Sequence, residues 1–265
     1  MTVIETEIKF TRRGTGKPLL LVHGLGGSRH SWDSIVDALA RERDVTAVDV
    51  PGSGETPPLA GENSLATLAD ALARFLAAQN LTGIDAVGSS MGARLVLELA
   101  RRGVVGSVVS LDPGGFWEGW ERVFFGVSVA LSGLLVRALS PAMENITGHV
   151  VGRSILLAQF SARPWHLAPA IALTEMRTFA SAPTFYELLG HLVFGEQQRG
   201  MDRGAARGRI VIGWGRQDRV CLPAQADRAL KRFPDATVHW FDRCGHFPQW
   251  DAPEETVRLI LATTI

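Results

Sequence analysis

Along the first part of this chain, short apolar, β-branched runs alternate with longer helical patterns. Runs at 18–22, 45–49, 84–87 and 107–111 read as strands, and 31–40, 64–79 and 91–101 read as helices between them. A strand followed by a helix that returns the chain to a parallel neighbour produces this rhythm, so it predicts a mostly parallel, doubly wound α/β sheet. The rhythm stops after Asp112 and resumes with a strand at 209–213, a helix at 223–232, a strand at 237–241 and a helix at 253–261. The stretch between is helical in pattern and broken by Pro141, Pro164, Pro169 and Pro183. The prediction is one α/β core made of 1–112 and 208–265, interrupted by a helical insertion over 113–207.

Composition narrows the partner. A chain of 265 residues, 46% of them hydrophobic, buries about three-quarters of its extended surface, enough for one large domain. Its 27 basic and 27 acidic residues balance, so no general attraction to nucleic acid or to an anionic membrane is built in. A small, weakly charged, largely apolar substrate is expected instead. The start, MTVIETEIKFTRRG, has acids before its bases and no signal-like apolar core. It reads as a first strand of a cytoplasmic protein. Cys221 and Cys244 are too few for a disulfide framework and lack metal-site spacing, so both are expected as free buried thiols. The apolar segment 124–139 is interrupted by Ser128, Ser132, Gly133 and Arg137, which suits a core or cap helix better than a membrane span.

Chemistry enters at VGSSMGA, residues 87–93, where the strand 84–87 meets the helix 91–101 with almost no loop. Only Ser90 has the spacing G-x-S-x-G, with Gly88 and Gly92 two residues to either side. In such a turn the serine takes a strained backbone conformation at the tip, and the glycines let strand and helix pass closely. The helix N-terminus then directs its free N–H groups toward negative charge beside the serine oxygen. A serine hydroxyl needs a base to become a nucleophile, and the base needs a carboxylate to orient it. Asp218 follows the late strand in WGRQD, and His246 follows the last strand in a glycine-preceded loop. They come in the order nucleophile, acid, base. Asp112, in SLDPGG, also ends a strand and competes for the role of acid, but the proline and glycines after it suit a turn-bonding aspartate. Among the other histidines, His239 lies within a strand, His30 precedes a helix, and His149, His166 and His191 fall in the insertion without metal-ligand spacing.

The motifs HGLGGS (23–28), DVPGSGET (49–56), GSSMG (88–92), WGRQD (214–218) and GHFPQWDAPEE (245–255) together resemble the α/β-hydrolase fold family, in particular its capped, esterase-like bacterial members. The resemblance implies an α/β-hydrolase fold with Ser90 as nucleophile, Asp218 as acid and His246 as base. It also implies Leu25 and Met91 as backbone donors of an oxyanion hole, no cofactor and no metal. The insertion would form a helical cap, and Asp49 and Gly52 would shape the turn beside the pocket.

A serine at position 90 departs from the relatives that attack through an aspartate, and HGLGGS differs from the HGGGPG loop of C–C bond hydrolases. The reading is therefore a serine hydrolase of carboxylic esters, lactones or thioesters. A C–C bond hydrolase or lyase on the same residues is the alternative, and a ligand-binding receptor of this fold ranks third. Phe116, Trp117, Trp120, Phe124, Phe125, Phe160, Trp165 and Phe179 in the insertion suggest an apolar pocket for an uncharged acyl or aryl group.

Overall fold

The computed structural model describes residues 6–264. Residues 1–5, part of the expected first strand, lie outside them. Among the described residues, seven strands form one sheet: β1 (Phe10–Arg13), β2 (Lys17–Val22), β3 (Arg43–Val48), β4 (Asp85–Ser89), β5 (Val108–Leu111), β6 (Ile210–Gly215) and β7 (Thr237–Phe241). Their spatial order is β1-β3-β2-β4-β5-β6-β7, with β1 antiparallel to β3 and every other pair parallel. The central strands are continuous apolar runs because helices cover both faces of a parallel sheet. Thus β4, β5 and β6 present only buried residues, whereas β1 at one edge is largely exposed.

Two helices show how local sequence sets these elements. In α2 (Leu65–Ala78), Ser64 caps the N-terminus by accepting from the Thr67 N–H, while Thr67 Oγ1 accepts from the Ser64 N–H. Its buried face is Leu68, Ala69, Leu72 and Leu76, spaced as a helix requires. The helix expected at 31–40 is instead a 3-10 turn at Arg29–Trp32 followed by the single turn α1 (Val36–Leu39). The serines of that stretch spend their hydroxyls elsewhere. Ser28 Oγ accepts from the His30 N–H, Ser31 Oγ donates to Glu175, and Ser34 Oγ donates to the Gln249 carbonyl. Side-chain bonds of this kind compete with a continuous helix.

Between β5 and β6 the chain is helical, with α3 (Met91–Arg101) before it, and then α4 (Glu121–Ala138), α5 (Met143–Gly148), α6 (Val150–Leu156), α7 (Pro169–Ser181) and α8 (Phe185–Phe194). The core closes with α9 (Gln225–Arg232), α10 (Pro248–Asp251) and α11 (Pro253–Thr263). All but the last residue of the segment 124–139 lies in α4, which buries Phe125, Val129 and Val136 and packs on α7 and α8. Among the described residues no single helix is long and apolar enough to cross a membrane. Cys221 and Cys244 are both free and buried, as expected.

Candidate active site

The turn between β4 and α3 has the backbone that its sequence predicts. Ser90 has φ 56 and ψ −114, a region a non-glycine residue occupies at a cost of about 1–3 kcal/mol. A Cβ on Gly88 would lie 2.1 Å from the Gly92 carbonyl oxygen, and one on Gly92 would lie 2.1 Å from that of Val22. Both positions therefore require glycine. The strand ends at Ser89 and the helix begins at Met91, so Ser90 alone turns the chain and its hydroxyl stands at the tip.

The three separated candidates meet there. Ser90 Oγ lies 2.9 Å from His246 Nε2, and His246 Nδ1 lies 2.8 Å from Asp218 Oδ2. With Asp218 accepting at Nδ1–H, Nε2 is left to accept the serine proton, so the partners fix the tautomer. The second oxygen of Asp218 accepts from the Val220 N–H at 2.7 Å and the Cys221 N–H at 3.1 Å. Both Asp218 and His246 are buried.

Asp112 stands behind this chain rather than in it. Its Oδ1 accepts from the Gly215 N–H at 2.8 Å, and it makes no bond to His246. Burial, then the charge of Asp218, pushes its carboxyl well above the usual range, which favours the uncharged form. Of the two acids that the sequence offers, the structure brings Asp218 to the histidine. Cys221 also approaches, its sulfur lying within 4.8 Å of Asp218 and His246 ligand atoms. Burial and the nearby aspartates push that thiol well above its ordinary value, which favours the protonated form.

The loop 23–28 approaches Ser90 from the end of β2. A Cβ on Gly24 would sit 3.0 Å from Ser90 Cβ, and Gly24, Leu25 and Ser90 line one cleft. His23 holds the loop. Its Nδ1 donates to the Gly24 carbonyl at 2.7 Å and its Nε2 accepts from the Val50 N–H at 3.0 Å. Full burial lowers its pKa, so the ring is neutral and serves as a brace. Met91, directly after Ser90, is the first residue of α3, and its N–H has no acceptor one turn back. Asp49 accepts from the Arg29 and Glu55 N–H groups and pairs with the Arg29 guanidinium, tying 49–55 to the 3-10 turn.

The cleft is mostly apolar, with Phe125, Val129, Phe160, Met176, Phe179 and Phe247 on its walls. Of the aromatic side chains expected to line it, Phe125, Phe160 and Phe179 do so. Trp117 is buried against Phe125, whereas Trp120 and Trp165 are exposed.

Two functional positions escaped sequence reasoning. Asp251 accepts from the Ser161 hydroxyl, from the Ala162 N–H at 2.8 Å and from the Gly245 N–H at 2.7 Å, while the His246 N–H donates to the Phe160 carbonyl at 2.8 Å. The insertion thereby clamps the histidine loop. Asp251 lies inside GHFPQWDAPEE, but nothing in that string says which chain segment it would bind. The second is Glu175, a buried acid on the cleft wall, which helical patterning alone cannot distinguish from a solvated glutamate.

The profile of the alpha/beta hydrolase fold family matches residues 17–253. The chain belongs to that family. It is 28% identical over 255 residues to the dihydrolipoyllysine-residue acetyltransferase component of the acetoin cleaving system of Cupriavidus necator, covering 92% of this chain but only 63% of that protein. It is also 28% identical over 274 residues to the 2-hydroxy-6-oxo-2,4-heptadienoate hydrolase of Pseudomonas putida, covering 93% of this chain and 88% of that one. The thermophilic esterase of Thermogutta terrifontis superposes with a TM-score of 0.76 at 20% identity, covering 99% of this chain and 94% of that one. The last likeness is one of fold. Family membership with hydrolase relatives makes this chain a hydrolase-type enzyme.

Proposed function

We propose that this protein is a serine hydrolase of small, largely apolar carboxylic esters, lactones or thioesters included. The observation that carries the reading is the hydrogen-bonded chain Ser90–His246–Asp218 on the wall of an apolar cleft. His246 takes the Ser90 proton as Oγ attacks the ester carbonyl, and Asp218 holds the imidazole and stabilises its cation. Negative charge growing on the carbonyl oxygen is met by the Met91 and Leu25 N–H groups. The imidazolium returns its proton to the leaving alcohol, leaving an acyl group on Ser90. Water, activated by the same histidine, then releases the acid. Turnover of neutral 4-nitrophenyl esters tests this reading. Hydrolysis that slows when the acyl group carries a negative charge supports it, and equal or faster hydrolysis of the anionic ester counts against it.

A C–C bond hydrolase is the second reading, favoured by the likeness to the Pseudomonas putida enzyme. A heptadienoate carries a carboxylate, and the residues lining this cleft include no lysine or arginine to meet one. The wall offers no cationic side chain for that carboxylate, and the ester reading stands first.

A further inference from the structure

Glu175 projects from α7 into the wall of the cleft that holds Ser90 and His246, and it is the one carboxyl among the lining residues. The residue is only 7% exposed. One oxygen accepts from Ser31 Oγ at 3.1 Å, and the other, Oε1, is buried with no partner. Gln249 Oε1 and Trp250 Nε1, on residues of the same wall, are also buried without partners. A lone unpaired polar atom in an interior costs roughly 1–3 kcal/mol, and apolar packing would require none of the three. Their gathering around one cleft indicates a polar group that the substrate brings.

The charge state selects that group. Burial first, and the nearby Asp33 charge after it, push the Glu175 carboxyl up to about 8. Ser31 weakens this shift, and the other titratable group on the cleft wall is His246. At neutral pH the carboxyl is therefore mostly protonated and offers one donor and one acceptor. A neutral alcohol or phenol offers the complementary pair, whereas an ammonium ion would need the ionised form.

We propose that Glu175 is a specificity-determining residue that selects esters bearing a neutral hydroxyl on the portion lodged beneath the cap. The proposal rests on the serine hydrolase reading and deepens it to a substrate class. The free Oε1 of Glu175 engages the hydroxyl, with Trp250 Nε1 and Gln249 Oε1 available on the same wall.

The test uses pairs of 4-nitrophenyl esters that differ only by hydroxyl against methyl: the 3- and 4-hydroxyphenylacetates against their methylphenylacetates, and 6-hydroxyhexanoate against heptanoate. The readout is the ratio of kcat/KM within each pair, measured in the native enzyme, Glu175→Gln and Glu175→Leu. The ratio is internal to each variant, so a general loss of activity cancels. The native enzyme is expected to favour the hydroxyl member of at least one pair by about 10-fold or more. Glu175→Gln should keep part of that preference, and Glu175→Leu should bring it to unity or below. A native ratio near one in every pair overturns the proposal, as does a preference that survives in Glu175→Leu. Faster turnover of the 4-(aminomethyl)phenylacetate than of the hydroxyl ester overturns it too, because Glu175 would then act as an anion. Labelling of Ser90 by a fluorophosphonate runs alongside. If Ser90 is labelled and the ratios are flat, only the Glu175 proposal fails; if neither labelling nor turnover occurs, the Ser90 reading fails and this proposal falls with it.

Discussion

In the sheet, β4, β5 and β6 show no exposed side chain, whereas in the cap Trp120 is 65% exposed, Leu131 59% and Ile155 74%. The core is built from continuous apolar strands and glycines whose backbones touch. The insertion shares the main apolar cluster of the core through side chains such as Phe125, Phe179 and Phe185, and adds polar ties that include Asp251 with 161–162, Glu175 with Ser31, and Thr184 with the Gly52 carbonyl. A region packed on every side can hold reacting atoms to fractions of an ångström, and a region with one face open to solvent can vary its inner wall with less disturbance to them. On the proposed function, reaction geometry belongs to the core and substrate choice to the insertion.

Substitutions on the two sides of that division should separate. The largest effect is expected from Ser90→Ala, which should lower kcat/KM for a neutral aryl ester by about 10⁴-fold or more while leaving the melting temperature near or above the native value, since the strained turn keeps its backbone. A loss smaller than tenfold would put the nucleophile elsewhere. Asp218→Asn comes next, with a fall of about 10⁴-fold in kcat from the wrong imidazole tautomer. Asp112→Asn should stay within about threefold, because Asp112 makes no bond to His246 and burial already disfavours the charge that the amide removes. Steady-state kinetics on both variants decide between them, and the reverse pattern would exchange the two acids.

Much of the core side was legible in the sequence. Each strand end that bears a reacting group announces itself through glycine or turn chemistry: Gly88 and Gly92 around Ser90, the WGRQD turn at Asp218, Gly245 before His246. What could not be read is contact between segments far apart in the chain. Whether Phe125 or Trp120 faces the cleft depends on how α4 rolls against α7 and α8, and both fit one apolar helix pattern. The clamp from Asp251 to Ser161 spans 90 residues, and the burial of Glu175 depends on where the 3-10 turn at Arg29–Trp32 comes to rest. Those serines also broke the helix expected at 31–40.

The clamp gives a prediction at the boundary of core and cap. Asp251→Ala removes the acceptor for the Ser161 hydroxyl and the Ala162 and Gly245 N–H groups, leaving buried donors unpaired at roughly 1–3 kcal/mol each. Activity should fall tenfold or more through a loosened His246 loop, with Asp251→Asn milder. Thermal melting and kcat measured together check this. Unaltered kcat with a lowered melting temperature would make the clamp purely structural.

The smallest effect concerns the cap alone. Glu175 keeps its proton in the folded protein to about pH 8, against an ordinary value of 4.5, so the unfolded chain binds fewer protons through that window. Its contribution to stability is therefore lost as pH rises from 4.5 toward 8. Glu175→Gln has nothing to titrate there, and its melting temperature relative to the native protein should climb by a few degrees between pH 5 and pH 8.5. A flat difference would mean that Glu175 ionises freely in the fold.

The division rests on Ser90 being the attacking atom, and the most direct measurement is the site of covalent capture. The protein is incubated with a neutral fluorophosphonate, digested, and the adduct located by peptide mass spectrometry. The account predicts one adduct, on Ser90, formed in the native protein and in Glu175→Gln and absent from Ser90→Ala. An adduct on Ser89, or one that persists in Ser90→Ala, would contradict it.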